Sequence, residues 1–207
     1  MIWQEARIDS ERPSHRQPRQ AAVVHRNVGH EHMRITHFLL FCTLLSSAVA
    51  SGGVWYDGDK IAPDRSHQKA KDGLGVQLQL TNDASFFDDW ALPHPPNLKI
   101  THIAQVGDTI YSVLLFFGAG KDKKGESNVT FEGRVLGPDG NSLQEFKDVR
   151  VVHGPNLAGE YDLGLSEGHM IAQFSKASLK GTYTFEVTVT DHIKKVSILL
   201  LQKLERK

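Results

Sequence analysis

Cysteine is almost absent from this chain: among 207 residues there is one, Cys42. It sits in an apolar stretch near the N-terminus, so everything after it has no disulfide and no thiol chemistry to offer. The residues before it, Leu39-Leu40-Phe41, lack the small residue that a lipid-attachment site carries. Long hydrophobic runs are scarce too. The run from Phe38 to Leu45 is well short of the roughly 20 residues that span a bilayer. Charge of one sign is not in excess, because 24 Lys plus Arg balance 24 Asp plus Glu. That removes the electrostatic footprint expected of a protein that binds nucleic acid or an anionic membrane. Internal repeats, heptads and a long amphipathic helix are missing as well.

What the N-terminal part does contain is an export signal in letters. Met33-Arg34-Ile35-Thr36-His37 is a short basic start, followed by the apolar run and then by Ala48-Val49-Ala50. This is the three-part layout of a secretory signal peptide over 33–50, with cleavage expected after Ala50. Residues 1–32 are rich in Arg, His, Gln and Glu and have little apolar periodicity. They are expected to be a disordered extension upstream of the true start at Met33. Six of the basic and four of the acidic residues precede Ser51, leaving 18 and 20 in the expected mature chain, a net of −2. A secreted domain of this size without disulfides points to a bacterial export product, periplasmic or secreted, with a core large enough to do without them.

Residues 51–73 are polar and punctuated by Gly and Pro, and read as an irregular arm anchored by Trp55-Tyr56. From Leu74 onward, apolar and polar residues alternate in short stretches, which is the period of a half-buried strand. Leu74 to Leu80, Leu98 to Val106, Thr109 to Phe117, Val129 to Val135, Leu143 to Val152 and His169 to Phe174 are predicted strands. The run TIYSVLLFF at Thr109–Phe117 is the most apolar and is expected to be central. Gly137-Pro138-Asp139-Gly140 is a turn signal, because Pro presets φ and Asp-Gly accepts the tight geometry. Gly118 to Ser127 is a mobile basic loop by composition, and His153-Gly154-Pro155-Asn156 is expected to break its strand. The strongest pattern is Gly181–Leu204. Tyr183, Phe185, Val187 and Val189 alternate with Thr182, Thr184, Glu186, Thr188 and Thr190, and a polar connection leads to a second strand from Lys195. This reads as a closing hairpin whose Leu199-Leu200-Leu201 needs cover on both faces.

Short strands at about 8–12-residue spacing make the expected fold all-β, an antiparallel sandwich of about 7–9 strands over 74–207. Leu179-Lys180-Gly181-Thr182-Tyr183-Thr184-Phe185 resembles the penultimate strand of immunoglobulin-like and fibronectin-type-III-like domains, and the turn Gly137-Pro138-Asp139-Gly140 in its Val-rich hairpin is similar to those of bacterial secreted sandwich modules. The resemblance implies that the Tyr183 hydroxyl ties the preceding corner. It also implies structural roles for Gly181 and for the turn residues Pro138 and Gly140. The cysteine pair of antibody domains is missing, and the likeness carries no function.

No constellation announces catalysis or a cofactor. GAGKDKKGES lacks the spacing of a phosphate-binding loop. Gly164-Leu165-Ser166-Glu167-Gly168 has the letters of a nucleophile elbow without its strand-to-helix context. Asp57-Gly58-Asp59 lacks the ligands of a calcium loop. The six histidines after residue 50 are not spaced as metal pairs. The stretch that could bind a ligand is Phe86-Phe87-Asp88-Asp89-Trp90, with Trp55 and Tyr56 as similar candidates. Aromatic faces can pack on a sugar or peptide while the acids accept hydroxyl or amine donors. The competing reading is that these aromatics plug the sandwich. The expected function is an exported, non-enzymatic module that binds a protein or cell-envelope partner. A carbohydrate-binding module or small hydrolase using Phe86–Trp90 is the first alternative, and a periplasmic metal binder the second. Neither nucleic acid nor stable membrane insertion is expected.

Overall fold

The computed structural model describes residues 54–57, 60–92, 94, 96–156, 159 and 162–207. The expected upstream extension, signal peptide and cleavage site, at 1–32, 33–50 and Ala50, lie outside them. Two short strands, β1 (Tyr56–Asp57) and β2 (Lys60–Ile61), pair with each other. Then come β3 (Gln68–Lys71), β4 (Leu74–Thr81), the helical turn α1 (Ser85–Asp89), β5 (Ile103–Ala104), β6 (Thr109–Phe117) and β7 (Glu126–Leu136). After them follow β8 (Ser142–Pro155), β9 (Gly164–Leu165), β10 (Ile171–Gln173), β11 (Gly181–Asp191) and β12 (Val196–Arg206). One sheet runs β10-β6-β4-β3, with β9 beside β6, and the other runs β5-β12-β11-β7-β8. The fold is an all-β sandwich.

Alternation decides which side chains meet between the sheets. Leu74, Val76, Leu78 and Leu80 of β4 and Ile110, Leu114 and Phe116 of β6 face inward from one sheet. They join the same cluster as Val129 and Phe131 of β7, Phe185 and Val187 of β11 and Ile198 and Leu200 of β12. The closing hairpin is as the alternation predicts, with an unbroken register from Gly181↔Arg206 to Asp191↔Val196. Its turn is built on Asp191, which is fully buried. One carboxylate oxygen accepts the Ile193 and Lys194 amides, each at 2.9 Å, and the other accepts the Gly120 amide at 2.6 Å. The basic loop at Gly118–Ser127 is therefore pinned to the hairpin by a carboxylate.

β6 is mostly apolar because it is covered on both faces. Its outward residues Val113 and Leu115 lie under Phe86, with Phe87, Trp90, Leu98 and Leu165 around them. Further along that face, Phe117 crosses Gly75 of β4, its register partner. A Cβ placed on Gly75 would stand 2.0 Å from the Phe117 ring, so only glycine leaves room for it.

Several predicted boundaries move. Gln68–Lys71, read from sequence as part of the irregular arm, is a sheet strand paired with β4. The strand predicted over Leu98–Val106 contracts to Ile103–Ala104, and its pairing with β12 is parallel, so the sandwich is not purely antiparallel. β8 continues through His153 and Gly154 to Pro155, where a break was expected. An edge position tolerates proline because its missing N–H is not needed by a further strand. Among the described strands seven have four or more residues. The others are two- or three-residue pairings too short for alternation to announce.

Both sides of the sandwich are laced by single main-chain bonds. On one side the Leu201 amide of β12 donates to the Ser66 carbonyl at 2.7 Å, while the Leu78 amide of β4 donates to the adjacent His67 carbonyl at 2.8 Å. On the other, the Ser166 amide donates to Leu114 of β6 and the Gly168 amide to Arg150 of β8, both at 2.9 Å. The segment before β3 thus supplies part of the cover that Leu199–Leu201 needs. Leu200 is buried inside, Leu201 is half-buried and Leu199 stays exposed.

Candidate functional site

The residues singled out from sequence separate into three places. The first is the outer side of β6. Asp83 starts α1 by accepting the Ser85 amide at 3.2 Å and the Ser85 hydroxyl at 2.7 Å. Its other oxygen meets Lys99 at 2.9 Å. These contacts, Lys99 first, hold the Asp83 carboxyl below its ordinary pKa. The helical turn lays Phe86 into the sheet, where it is buried, and leaves Phe87 and Trp90 half-buried and Asp88 exposed. Phe87 stacks on His169 with ring centres 4.4 Å apart, and Tyr111 stands edge-on to Phe87 at 5.8 Å. Trp90 leans on Phe86 at 5.7 Å. One face of Phe87 is therefore covered by an imidazole, and the aromatic cluster serves first as a lid over Val113 and Leu115. Trp55 lies elsewhere on this sheet. Its Nε1 donates to the Lys69 carbonyl at 3.0 Å, and its ring meets Phe117 edge-on at 4.9 Å. The side chain of Tyr56 lies outside the described residues.

The second place is one end of the sandwich, where all four residues given structural roles come together. The Gly140 amide closes its turn on the Gly137 carbonyl at 2.9 Å, with Gly140 at φ 79°. Pro138 of that turn packs against Gly181, which has φ 124°; a Cβ there would lie 3.0 Å from the proline ring. Two residues on, the Tyr183 hydroxyl donates to the Leu179 carbonyl at 2.9 Å. Burial raises the Tyr183 pKa, keeping the phenol a donor.

The third place was not legible in the sequence. Among the described residues the outer face of the second sheet carries only strand side chains, and a shallow cavity of about 360 Å³ opens on it. Its floor is Gly133 and Phe146, and its walls are Glu132, Arg134, Glu145, Lys147, Glu186 and Thr188. The depression comes from the edge strand. β8 has an extra residue against β7 at three points, one of them between Phe131 and Gly133, where Asp148 takes φ 51°. Such bulges bend a strand and re-aim its side chains. Arg134 reaches across to its register partner Glu186, with Nε and a terminal nitrogen each 2.8 Å from one carboxylate oxygen. An exposed pair like this adds little stability. Glu132, Glu145 and Lys147 are exposed beside it.

The remaining sequence candidates are accounted for locally. Ser166 of the elbow-like stretch is buried and donates to the Gly168 carbonyl at 2.8 Å. His153 Nδ1 lies 3.4 Å from the Asn128 side chain, and His192 Nε2 lies 2.8 Å from the Thr130 hydroxyl. Among the described residues no three His, Cys, Asp or Glu converge as a metal site.

No protein-family model matches the chain, and no curated protein matches it. Among solved structures, a family 123 glycoside hydrolase from Clostridium perfringens, described for glycolipid glycan hydrolysis, superposes with a TM-score of 0.39 at 13% identity. The match covers 65% of this chain and 27% of that enzyme's, and a superposition this loose carries no argument about chemistry.

Proposed function

We propose that this chain is an exported, non-enzymatic β-sandwich module of immunoglobulin-like type that binds a protein or cell-envelope partner through the outer face of its second sheet. The observation that carries the reading is the asymmetry between the two outer faces. One is roofed by α1 and the Trp55 segment, whereas among the described residues the other is uncovered and bears the charged depression around Gly133 and Phe146. Opposed charges on an open, rigid sheet select a partner by complementarity more than by apolar burial. The strand order supports the immunoglobulin-like type. β12-β11-β7-β8 corresponds to the G-F-C-C′ sheet of such domains and β10-β6-β4 to E-B-A. Tyr183 near the start of β11, tied to Leu179, has the place of their corner tyrosine. Phe185, fully buried two residues later, stands where antibody domains have the second cysteine.

A second reading, carbohydrate binding, is favoured by the half-exposed cluster of Phe87, Tyr111 and His169 with Asp88 beside it. One experiment separates the two. The immobilised domain is offered envelope proteins and a glycan panel, alongside its Arg134→Glu/Lys147→Glu and Trp90→Ala variants. Capture of a protein that the charge-reversed variant loses at unchanged melting temperature supports the outer-face reading. Capture of a glycan that is lost only in Trp90→Ala overturns it.

A further inference from the structure

Three turns meet at the end of the sandwich opposite Tyr183. β3 passes to β4 through Asp72-Gly73, at φ 50° and 77°, the positive angles of a tight two-residue hairpin. β6 passes to β7 through 118–125, and β11 to β12 through 192–195. Bonds that leave most of their side chains outside clamp the three together. The Gly120 amide donates to the buried Asp191 carboxylate at 2.6 Å, and the Ser127 hydroxyl to the Gly120 carbonyl at 2.8 Å. The His192 amide donates to the Asn128 carbonyl at 3.0 Å. Lys194 crosses from the third turn to the first, its Nζ donating to the Asp72 carbonyl at 3.1 Å.

This end concentrates positive charge in a chain whose charges balance. Lys71, Lys121, Lys123, Lys124 and Lys195 are exposed on the three turns, and Lys194 is half-buried among them. Asp72, Asp122, Glu126 and Asp191 accompany them, and two of these are already engaged. Asp191 is buried under backbone amides, and Asp122 gives one oxygen to the Lys124 and Glu126 amides at 2.8 and 3.0 Å. Among the described residues Lys71, Lys123, Lys124 and Lys195 pair with no carboxylate.

The make-up of the patch narrows its partner. It has no arginine, and so no planar fork for phosphate groups. It has no Phe, Tyr or Trp on which unpaired bases could stack. No large apolar side chain is exposed on the three turns, so neither a bilayer surface nor a folded protein finds an anchor there. What stands beside the ammonium groups is a pair of exposed carboxylates, Asp72 and Asp122. They can accept hydroxyl donors, and they repel a polymer of unbroken negative charge.

We propose that these three turns bind an anionic polysaccharide, with its carboxylates against the lysines and its ring hydroxyls on Asp72 and Asp122. Polyglutamate and DNA offer charge without such hydroxyls, and a neutral glycan offers hydroxyls without charge. The site is separate from the depression around Gly133 and from the Phe86–Trp90 cluster, so it stands or falls apart from both readings of the function.

The test is amide NMR of the ¹⁵N-labelled domain titrated with a galacturonate oligomer. Dextran, polyglutamate, single-stranded DNA and phosphatidylglycerol vesicles serve as comparisons. The expected result is a saturable shift of the amides at Asp72, Lys121 to Lys124 and Lys195, with clearly weaker binding of every comparison. Raising salt from about 50 to about 200 mM should weaken the galacturonate about tenfold. Lys123→Glu/Lys124→Glu should weaken it by about the same factor at unchanged melting temperature, and Lys71→Glu is a second variant on a different turn should the first fail to fold. Four outcomes overturn the proposal. They are no saturable shift at these turns, equal binding of polyglutamate, DNA or vesicles (a general cation patch only), undiminished binding by the charge-reversed variants, or shifts centred on Phe87 or Gly133 instead.

Discussion

Gly75→Ala should destabilise this domain although it adds one methyl group to a strand. The methyl would stand 2.0, 2.1 and 2.7 Å from three carbons of the Phe117 ring, inside any permitted contact distance. The ring cannot move freely. Phe117 is 6% exposed and bears edge-on against Trp55, which is held by its own hydrogen bond to Lys69. Overpacking of this kind costs about 1–3 kcal/mol, and losing an aromatic edge contact costs about 0.5–1.5 kcal/mol more. Against that, replacing glycine in a strand recovers about 0.4–1 kcal/mol of unfolded-state entropy. The net expectation is a loss of roughly 2 kcal/mol, a fall of about 1 M in the urea midpoint for a domain of this size. Urea unfolding followed by Trp fluorescence measures it, and near-UV circular dichroism should report the altered Trp55 environment. The decisive comparison is the same substitution in a Phe117→Ala background, where the clash is gone and Gly75→Ala should be neutral or stabilising. Equal costs in the two backgrounds, or a single-variant cost below about 0.5 kcal/mol, would refute the steric reasoning.

Tyr183→Phe removes the hydroxyl from the Leu179 carbonyl and should cost about 1 kcal/mol, read as a lower melting temperature with an unchanged fold. An unaltered melting temperature would show that the corner does not depend on that bond. His67 has its pKa lowered, by burial first and then by Arg65 and His102. The folded state therefore prefers the neutral ring and the unfolded chain takes up its proton more readily. The stability this group contributes is present above its ordinary value of 6.5 and is lost as pH falls through the folded value. His67→Gln should therefore shrink the drop in melting temperature between about pH 7.5 and about pH 5. A drop as large as the parent's would place the acid sensitivity elsewhere.

Which parts could be read from the sequence follows from the range of the interactions that make them. The hairpin β11–β12 was legible because its two periodicities are local and its turn residues lie between them. So were the inward faces of β4 and β7, and the turn at Gly137–Gly140. β6 was legible as central, but the reason was not. Val113 and Leu115 are covered by α1, and nothing in TIYSVLLFF names its roof. The aromatic stretch Phe86–Trp90 was legible as a cluster and ambiguous as to purpose, since burial depends on a strand some 25 residues further along. Gln68–Lys71 was missed because four residues reading QKAK have no apolar alternation; an edge strand beside β4 needs none. The charged depression was out of reach. It depends on extra residues in β8 relative to β7, which exist only once the two strands are paired.

The same lacing that stabilises the sandwich also protects its strand edges. A two-sheet fold exposes strand edges, and an unprotected edge invites non-specific pairing. Here Ser66, Lys69, His102 and Ala104 occupy the β12 edge, and Ser166 to Gly168 occupy the later half of β8. The earlier half of β8 is protected differently, by bulges and by the exposed Glu145, Lys147 and Asp148, which disrupt a flat ladder.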